Sequence, residues 1–554
     1  MSCWENTGFL VHLEGRIYNL DGSRVGPELL DLAARVFQEK TPPVSFLSRW
    51  LLATDGDFLL VLANKADGRL AVINDVFAHL PTYYCLQDQR LILSRSLKFI
   101  TNARGEATFD PMALAQYLLL GFSLGKRSLF TGVDYLEPAS LVIVSPEEAA
   151  VKVTKLYEFN FENEAHGRLS PVENARNLAD LFRKASRLRA SDQGPNVVSL
   201  SGGLDSRAAA AALNAEGIPL AAASFLDSDR GNAADYEAAG EVARALGVDW
   251  RGYRLEPPLG RDILQLLTIK GGLNNLRMSA ILPFFRHLQA DFGDRLTYFT
   301  GDAGSDTVGV STPHRRVSTV EALARYVIDR NRYFSLEDAA NLARVRSRDL
   351  LEETVAHLAS YPERTLARKY KHFFSLGMAT RLYHEGEDRN RHFFWSVTPF
   401  YAYDFFDYAL NCPDRDKKEF RFYREFLQQL SPALAPIPYA DFHASLGSKK
   451  LSLLYLLKSI TRTRPNYVRR VRKLFGLYSR ANPASNALAC LSEQSQACSP
   501  IGDYLDPGAL ARVLDRPRDY DKKEIWTLLT VTSIIAYYTC PSPLGEDFLD
   551  RNFV

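Results

Sequence analysis

The sequence has few cysteines, and they are not spaced as in the common metal or disulfide sites. Six cysteines are spread over 554 residues, without a Cys-x-x-Cys pair. This spacing argues against a structural zinc site and gives no disulfide framework. A chain with these features is typical of a reducing compartment.

The sequence also lacks a strong net charge, a signal peptide and a membrane-spanning run. Its formal net charge is +2, which gives no indication of a nucleic-acid partner. The N-terminus has no basic start followed by an apolar stretch. The apolar run from Ile525 to Tyr538 is interrupted by threonines and a serine and is too short to span a bilayer. We therefore expect a cytoplasmic protein with no membrane span and a buried helix over this run.

The composition is that of a globular protein with a large core. Hydrophobic residues make up 46% of the chain and charged residues 24%, and the length allows two to four domains. Short apolar or alternating runs at 57–63, 70–74 and 91–94, with a helical pattern over 27–39, predict a layered α+β domain at 1–165. A polar stretch at 160–170 is the best boundary.

Residues 166–554 predict a parallel sheet followed by helices. The predicted elements alternate in this order: helix 172–189, strand 196–200, helix 207–216, strand 220–225 and helix 233–246. Alternation of this kind is typical of a parallel α/β sheet. From about residue 318 the pattern is mostly helical.

One stretch carries a recognisable binding chemistry. Residues 199–207, Ser-Leu-Ser-Gly-Gly-Leu-Asp-Ser-Arg, lie between a predicted buried strand and a predicted helix. The two glycines allow a sharp turn, and the start of the helix points unpaired N–H groups at it. This arrangement suits a phosphate chain, and Asp205 would need a cation such as Mg²⁺ between itself and the phosphates. No Walker lysine is present, and the alternative is a Gly-rich turn that merely begins a helix.

This motif resembles the pyrophosphate loop of the ATP pyrophosphatase superfamily, whose members cleave ATP between the α and β phosphates. A wider resemblance, over most of the chain, is to the asparagine synthetase family, with the β-lactam synthetases and lasso-peptide cyclases among its relatives. The similar segments, in the family's order, are 222–225, 235–243, 275–279, 298–306 and 397–410. The fold class implied is an α/β PP-loop (adenine nucleotide alpha hydrolase-like) synthetase domain with a helical C-terminal part, preceded by a truncated Ntn-hydrolase-like α+β domain.

The resemblance also implies a set of site residues, with ATP and Mg²⁺ as cofactors. Asp205 and Asp306 would be the metal ligands, and Asp302 would lie near the reacting carbonyl. The residues that would bind the nucleotide are Leu200, Ser201, Gly202, Gly203, Asp205, Ser206, Ser224 and Gly301. The family has a lysine that contacts phosphate oxygens, and the matching place at 439–442 has none. Lys449, Lys450 or Arg277 would have to supply that cation, although both lysines are equally typical of a solvated surface.

The N-terminal part resembles the glutaminase domain of the same family. The similar segments are 13–19, 74–84 and 94–98. A class II glutaminase uses an N-terminal cysteine with its own amino group as base, whereas here Cys3 comes after Met1 and Ser2. Glu14 stands where the family has an asparagine that helps bind an oxyanion, and a carboxylate there repels negative charge. We therefore expect a degenerate domain without glutaminase activity.

These observations together predict an ATP-dependent amide-bond-forming ligase. It would adenylate a carboxylate, release pyrophosphate and transfer the acyl group to an amine or ammonia, as in a lasso-peptide cyclase or β-lactam synthetase. The alternatives are an asparagine synthase that uses ammonia and a non-catalytic nucleotide-binding scaffold; a tRNA-modifying enzyme disagrees with the weak net charge. The expected partner is a small molecule or peptide that bears a carboxylate, and a partner protein or homodimer stays open.

Two charged stretches have no single interpretation. Residues 384–392 are predicted to form a loop, which would either line the acceptor pocket or form a structural ion-pair network. Residues 454–480 are rich in basic side chains with apolar residues between them. They indicate an amphipathic helix with a solvated basic face or a docking surface for an acidic partner.

Overall fold

In the computed structural model the chain is described over residues 2–38, 43–87, 90–146, 148–162, 164–451, 453–455, 485–540 and 548–553. The basic stretch at 456–480 lies outside these residues.

The N-terminal part is built on two antiparallel sheets. The strands are β1 (Ser2–Glu5), β2 (Phe9–Ile17), β3 (Gly56–Asn64), β4 (Leu70–Asn74), β5 (Tyr83–Gln87), β6 (Arg90–Ser94), β7 (Asp134–Tyr135), β8 (Ser140–Ser145) and β9 (Glu148–Lys155). One sheet has the order β1-β2-β3-β4-β8-β9 and the other the order β6-β5-β7. Every pairing within them is antiparallel, as expected for strands joined by short turns.

Four helices of this part are described: α1 (Gly22–Phe37), α2 (Val44–Ala53), α3 (Leu97–Arg104) and α4 (Pro111–Leu120). The first begins before its predicted start at 27, because the Asp21 side chain caps it by accepting a hydrogen bond from the Ser23 amide. Its apolar stripe is buried against β2 and its neighbours, which gives the layered α+β arrangement.

The second part contains a five-stranded parallel sheet. Its strands are β10 (Asn196–Ser199), β11 (Ala221–Leu226), β12 (Asp249–Arg254), β13 (Thr297–Phe299) and β14 (Trp395–Val397). Their order is β12-β11-β10-β13-β14, and all four pairings are parallel. The central strand β10 pairs with β13 so that Val198 faces Phe299. The loops that follow these two strands therefore meet at one edge of the sheet.

Helices surround this sheet and continue to the end of the described chain. They are α5 (Pro171–Arg189), α6 (Leu204–Ala215), α7 (Ala233–Leu246), α8 (Gly260–Lys270), α9 (Leu282–Phe292), α10 (Gly304–Val308), α11 (Val320–Asn331), α12 (Leu336–Leu342), α13 (Ser347–Ala359), α14 (Leu366–His372), α15 (Ala379–Asn390), α16 (Tyr403–Asn411), α17 (Asp414–Lys417), α18 (Arg421–Leu430), α19 (Ser485–Ala497), α20 (Ile501–Tyr504), α21 (Pro507–Asp515) and α22 (Lys522–Thr539). A 3₁₀ helix (Leu276–Ile281) precedes α9, and a π-helix (Phe373–Gly377) leads into α15.

The buried helix predicted over 525–538 is confirmed as α22. Its hydroxyl side chains turn back onto the helix, since the Thr530 hydroxyl donates to the Trp526 carbonyl at 2.7 Å. Within the described residues, no helix combines the length and apolarity needed to cross a bilayer.

The prediction that no disulfide forms is wrong for one pair. Cys498, just after α19, is bonded to Cys540, just after α22. The two residues are 42 apart in sequence, and only the packing of α19 on α22 brings them together. The disulfide could therefore not be predicted from the spacing of the two cysteines in the sequence.

The two parts of the chain are not separated by a gap in the hydrophobic core. One buried cluster contains both Tyr83 and Tyr298, and a second contains both Leu60 and Val198. The boundary at 165 between domains 1–165 and 166–554 stays a prediction.

Candidate active site

The turn after β10 is braced by its own hydroxyl groups. The Ser201 amide donates to Ser206 Oγ at 3.0 Å, and the two serine oxygens are 2.9 Å apart. The Gly203 amide donates to Ser201 Oγ at 3.1 Å. The chain enters α6 directly after Gly203, so the unpaired N–H groups of the helix start point at the turn. This is the geometry of an anion-binding cradle.

The loop after β13 lies directly against this cradle. A Cβ atom on Gly301 would be 2.5 Å from the Ser206 amide nitrogen, and one on Gly304 would be 2.5 Å from Asp205 Cγ. Neither distance is compatible with a side chain, so only glycine allows the two backbones to approach this closely. The glycines of the second loop therefore set the position of Asp205.

Three carboxylates converge where the two loops meet. Asp205, in the first turn of α6, accepts hydrogen bonds from the Ser305 hydroxyl at 2.9 Å and the Tyr423 hydroxyl at 2.7 Å. Asp306 is 7% exposed, and within the described residues its Oδ2 has no hydrogen-bond partner. Its carbonyl accepts from the hydroxyls of Ser311 at 2.7 Å and Ser375 at 2.9 Å, which fixes the backbone behind it.

The electrostatics of this cluster favour a bound cation. Burial raises the pKa of Asp306 to about 7; a hydrogen bond with the Tyr383 hydroxyl opposes the rise, and the neighbouring Asp205 carboxylate adds to it. Burial also raises the pKa of Asp302 to about 7, with Glu387 adding to the rise and Arg389 opposing it. The pKa of Asp205 is raised by burial as well. Buried carboxylates that repel one another are stabilised by a positive charge between them.

These residues fit a magnesium ion. A Mg²⁺ ion in a nucleotide site is usually held by one or two carboxylates and by phosphate oxygens. Asp205 and the unpartnered oxygen of Asp306 would be its protein ligands. When bound, such an ion neutralises the charge that develops on a leaving pyrophosphate.

The cradle opens into a cavity of about 600 Å³, a size usual for nucleotide and small-molecule sites. Seven of the predicted site residues line it: Ser201, Gly203, Asp205, Ser206, Arg277, Gly301 and Asp302. The remaining wall is formed by the 3₁₀ helix, by α15 and by the start of α22.

Five predicted site residues do not line this cavity: Leu200, Gly202, Ser224, Asp306 and Lys449. Leu200 is buried, and its amide donates to the Ala223 carbonyl at 2.9 Å. The Ser224 hydroxyl donates to the Leu200 carbonyl at 2.7 Å and accepts from Trp250 Nε1 at 3.0 Å. Both residues therefore join the strands beneath the cradle.

The lysines considered as phosphate ligands lie elsewhere. Lys449 is exposed and outside the cavity wall, and Lys450 Nζ donates to the His443 carbonyl at 2.9 Å. Arg277 on the 3₁₀ helix, Arg389 on α15 and Lys523 at the start of α22 do line the cavity. Of these, Lys523 was missed in the sequence, because it does not stand beside the Gly-rich motifs, whereas Arg389 belongs to the stretch 384–392 that was considered as a lining of the acceptor pocket.

The loop predicted at 384–392 is wrong, because most of it belongs to α15. One face of this helix presents Tyr383, Gly386 and Arg389 to the cavity. The opposite face carries Glu385 and Asp388, which form buried ion pairs with Lys270. Both interpretations left open by the sequence are thus realised on different faces of one helix.

Comparison with known families agrees with this architecture. The family model described as asparagine synthase matches residues 177–537. The chain belongs to the asparagine synthase family. A second model, described as a glutamine amidotransferase domain, matches residues 48–157. The predicted fold class is confirmed: an N-terminal Ntn-type amidotransferase domain precedes an α/β domain with a parallel sheet and many helices. Membership supports an ATP-dependent amide-forming ligase, and the family uses ATP, generally with Mg²⁺.

Similarity to individual proteins is weak. The glutamine phosphoribosylpyrophosphate amidotransferase from B. subtilis, complexed with ADP and GMP, is 10% identical and aligns with a TM-score of 0.19 over 66% of this chain and 76% of that one. A structure described as the allosteric regulatory enzyme of purine biosynthesis is 11% identical, with a TM-score of 0.19 over 66% and 75% of the two chains. No curated protein sequence matches the chain.

In this asparagine synthase family member, two carboxylates of the amidotransferase domain, Glu14 and Asp57, are held in ion pairs. Glu14 forms an ion pair with Arg95, which also pairs with Asp388 of α15. Asp57 accepts from Tyr18 at 2.9 Å and from Arg391 at 2.6 Å. The position where the family has an oxyanion-binding amide is therefore part of an ion-pair network between the two domains.

The cysteine near the N-terminus lies beside a histidine. Cys3 is on the edge strand β1, and its exposed sulfur is 4.0 Å from His12 Nε2. The expectation that this domain has no glutaminase activity stays a prediction.

Proposed function

We propose that the protein activates a carboxylate with ATP and joins it to an amine without hydrolysing glutamine. The carboxylate oxygen attacks the α-phosphorus, pyrophosphate leaves, and the acyl-adenylate then reacts with the amine to give an amide and AMP. The observation that carries this proposal is the convergence of Asp205, Asp302 and Asp306 beside the phosphate cradle, with raised pKa values and few counter-charges.

The residues divide into three roles along the cavity. The cradle of Ser201, Gly203 and Ser206 would bind the phosphates. Arg277 and Lys523 are cations on the opposite wall and would neutralise pyrophosphate or orient the substrate. Asp302, with a pKa of about 7, is suited to accept the proton that the attacking amine loses.

Two lining residues of the cavity support an amide-bearing substrate. Asn274 and Trp526 both line the cavity, and Asn274 Oδ1 and Trp526 Nε1 are buried without a hydrogen-bond partner among the described residues. Leu273, Met278 and Ile281 add apolar groups to the same lining. One buried acceptor and one buried donor match the N–H and C=O groups of an amide, and each unmade bond costs about 1–3 kcal/mol. A peptide or an acylated amino acid offers both groups beside its reacting carboxylate.

The nitrogen source follows from the amidotransferase domain. Its Glu14 and Asp57 are held in ion pairs, and neither is free to bind glutamine. We propose that the amine is carried by the substrate itself, with free ammonia as the second candidate. Holding the amine next to the activated carboxylate lowers the barrier by converting a bimolecular step into an intramolecular one.

The test is ATP–pyrophosphate exchange measured over a panel of peptides and small carboxylates, with Asp205→Asn as the control. We expect exchange with at least one amide-bearing carboxylate and none in the variant. A second assay supplies glutamine labelled with ¹⁵N in the side-chain amide. Label in the product would contradict the proposed nitrogen source, and exchange retained by Asp205→Asn would contradict the proposed site.

A further inference from the structure

A second cavity lies between the amidotransferase domain and helices α13 to α15. Its volume is about 240 Å³, and none of its lining residues also lines the nucleotide cavity. One wall comes from Val76 and the segment around Tyr157, and the other from the ends of α13 and α15 with the π-helix between them. Aromatic side chains dominate the lining: Phe122, Tyr135, Tyr157, Phe159 and Tyr361.

A buried guanidinium group lines this cavity without a counter-ion. Arg381 is 8% exposed, and its Nη2 donates to the Arg127 carbonyl at 2.7 Å. Its Nη1 has no hydrogen-bond partner, and no carboxylate lies within 4.0 Å of it among the described residues. Burial of an unpaired charge is costly, because the guanidinium loses its hydration without gaining an anion.

Several other buried cations of this protein have partners, either a carboxylate or, as for Arg207 and Lys417, several backbone carbonyls. Lys371 pairs with Asp414 at 2.8 Å, and Arg391 pairs with Asp57 at 2.6 Å. Arg381 instead stacks on the Tyr135 ring, with 4.2 Å between the guanidinium carbon and the ring centre. The Tyr135 hydroxyl is also buried and has no partner within the described chain. Two residues that each carry a buried, unpartnered donor therefore line the same aromatic cavity.

The other charged groups at the cavity do not supply the missing anion. His357 stays neutral, because burial lowers its pKa to about 4, and its Nε2 lies 2.9 Å from the Tyr361 hydroxyl. His372 pairs with Glu363 at 2.9 Å. At the mouth, Lys126 pairs with Asp134 and Lys155 with Glu158, at 3.0 and 3.1 Å, and Glu137 is exposed.

We propose that this cavity binds a small organic carboxylate with an aromatic or apolar body. The carboxylate would accept hydrogen bonds from Arg381 Nη1 and the Tyr135 hydroxyl, and the body would pack among Phe122, Tyr157 and Phe159. A charge-assisted bond to guanidinium is the strongest neutralisation that a small ligand can offer here. The site is separate from the nucleotide cavity and does not depend on the function proposed for it.

Phenylacetate is the probe, and binding is measured by calorimetry on the full chain at pH 7.5 without nucleotide. We expect a dissociation constant of roughly 1 mM or tighter, as usual for a ligand of this size. Phenylacetamide, which has the same shape without the charge, should bind at least tenfold more weakly. Asp205→Asn should leave phenylacetate binding unchanged, because that residue lies in the other cavity.

Two variants test the residues themselves. Arg381→Met should weaken phenylacetate binding at least tenfold, and Tyr135→Phe, which keeps the ring stacked on Arg381, should weaken it about threefold. No binding by the native chain would overturn the proposal. Equal affinity for phenylacetate and phenylacetamide would also overturn it, as would affinity unchanged in Tyr135→Phe and Arg381→Met. If Arg381→Met does not fold, the comparison of the two probes and Tyr135→Phe decide alone.

Discussion

The two clusters of carboxylates in this protein differ in how their charge is balanced. In the synthetase cavity, burial and mutual repulsion raise the pKa values of Asp302 and Asp306 to about 7. In the amidotransferase domain, burial alone would raise the pKa of Asp57, but His79 and Arg391 lower it below its usual value. A cluster of buried charges without counter-charges is typical of a ligand-binding site. Buried charges that are paired within the protein are typical of a structural ion-pair network. The comparison indicates that the carboxylates of the synthetase cavity favour a bound cation, whereas Asp57 is already balanced by its protein partners.

The largest expected difference is in activity. Asp306→Asn removes one proposed metal ligand and should lower the rate of ATP–pyrophosphate exchange roughly 1000-fold. Glu14→Gln, in the other cluster, should leave the rate within about threefold of the native value. Exchange rates of both variants, corrected for the folded fraction, are the measurement. Comparable losses of exchange rate in the two variants would contradict the claim that only the synthetase cluster takes part in the reaction.

For stability we expect the larger loss in the amidotransferase cluster and the smaller one in the synthetase cluster. Asp57→Ala leaves the buried Arg391 without its carboxylate and should lower the free energy of unfolding by about 3–5 kcal/mol. Asp306→Ala removes a carboxylate that has an unpartnered oxygen, and its unfolding free energy should not fall. Urea unfolding followed by circular dichroism measures both. A less stable Asp306→Ala would show that this carboxylate has a structural role.

Two glycines give a matched pair of backbone tests. Gly301→Ala should push the second loop away from the cradle and lower exchange roughly 100-fold, because its Cβ would meet the Ser206 amide. In Gly15→Ala the new Cβ would overlap the Asp57 carbonyl at a φ of 100°, so stability should fall while the rate per folded molecule stays near native. Loss of activity at Gly15 without loss of stability would contradict the comparison.

The unbalanced charge also predicts a pH dependence of stability. The pKa of Asp302 is about 7 in the folded protein against an ordinary 3.8, so between these values the folded state holds a proton that the unfolded state has lost. Stability due to this group therefore falls as the pH rises towards 7. Asp302→Asn cannot ionise, and above pH 7 its free energy of unfolding should exceed that of the native protein by about 4 kcal/mol, since one pKa unit corresponds to about 1.4 kcal/mol. The measurement is the free energy of unfolding of both proteins as a function of pH, with a chelator present. Parallel curves for the two proteins would contradict the pKa proposed for Asp302.

The smallest effects concern tyrosine hydroxyls that donate to each cluster. Tyr423→Phe removes the 2.7 Å bond to Asp205 and should slow exchange about fivefold, or about 1 kcal/mol. Tyr18→Phe removes the 2.9 Å bond to Asp57 and should lower stability by about 1 kcal/mol without slowing exchange. Steady-state exchange and urea unfolding on the two variants separate these outcomes.

The cradle could be predicted from sequence because its chemistry is local. Gly203 and Asp205 are two residues apart in a strand–turn–helix pattern, and the structure places both on the cavity wall. The pairing of Gly301 with Ser206 could be anticipated only through resemblance, since it depends on β10 and β13 being neighbours in the sheet. The sequence shows the glycines of both loops, but it does not show that the two loops are in contact.

The residues that the sequence did not reveal are contributed by distant helices. Lys523 lines the cavity from α22, far from any motif, and Arg389 lines it from α15, within the stretch 384–392 for which the sequence left two interpretations open. Their side chains look like ordinary surface charges in a sequence, and only the packing of these helices turns them inward. The same reason explains the missed disulfide between Cys498 and Cys540.

The most direct test of the central claim is a crystal structure with a non-hydrolysable ATP analogue and Mn²⁺ in place of Mg²⁺. We expect an anomalous peak within coordination distance of both Asp205 and Asp306, with the phosphate chain against the amides of the turn at Gly203. A metal bound to neither carboxylate, or a nucleotide bound outside this cavity, would contradict the account.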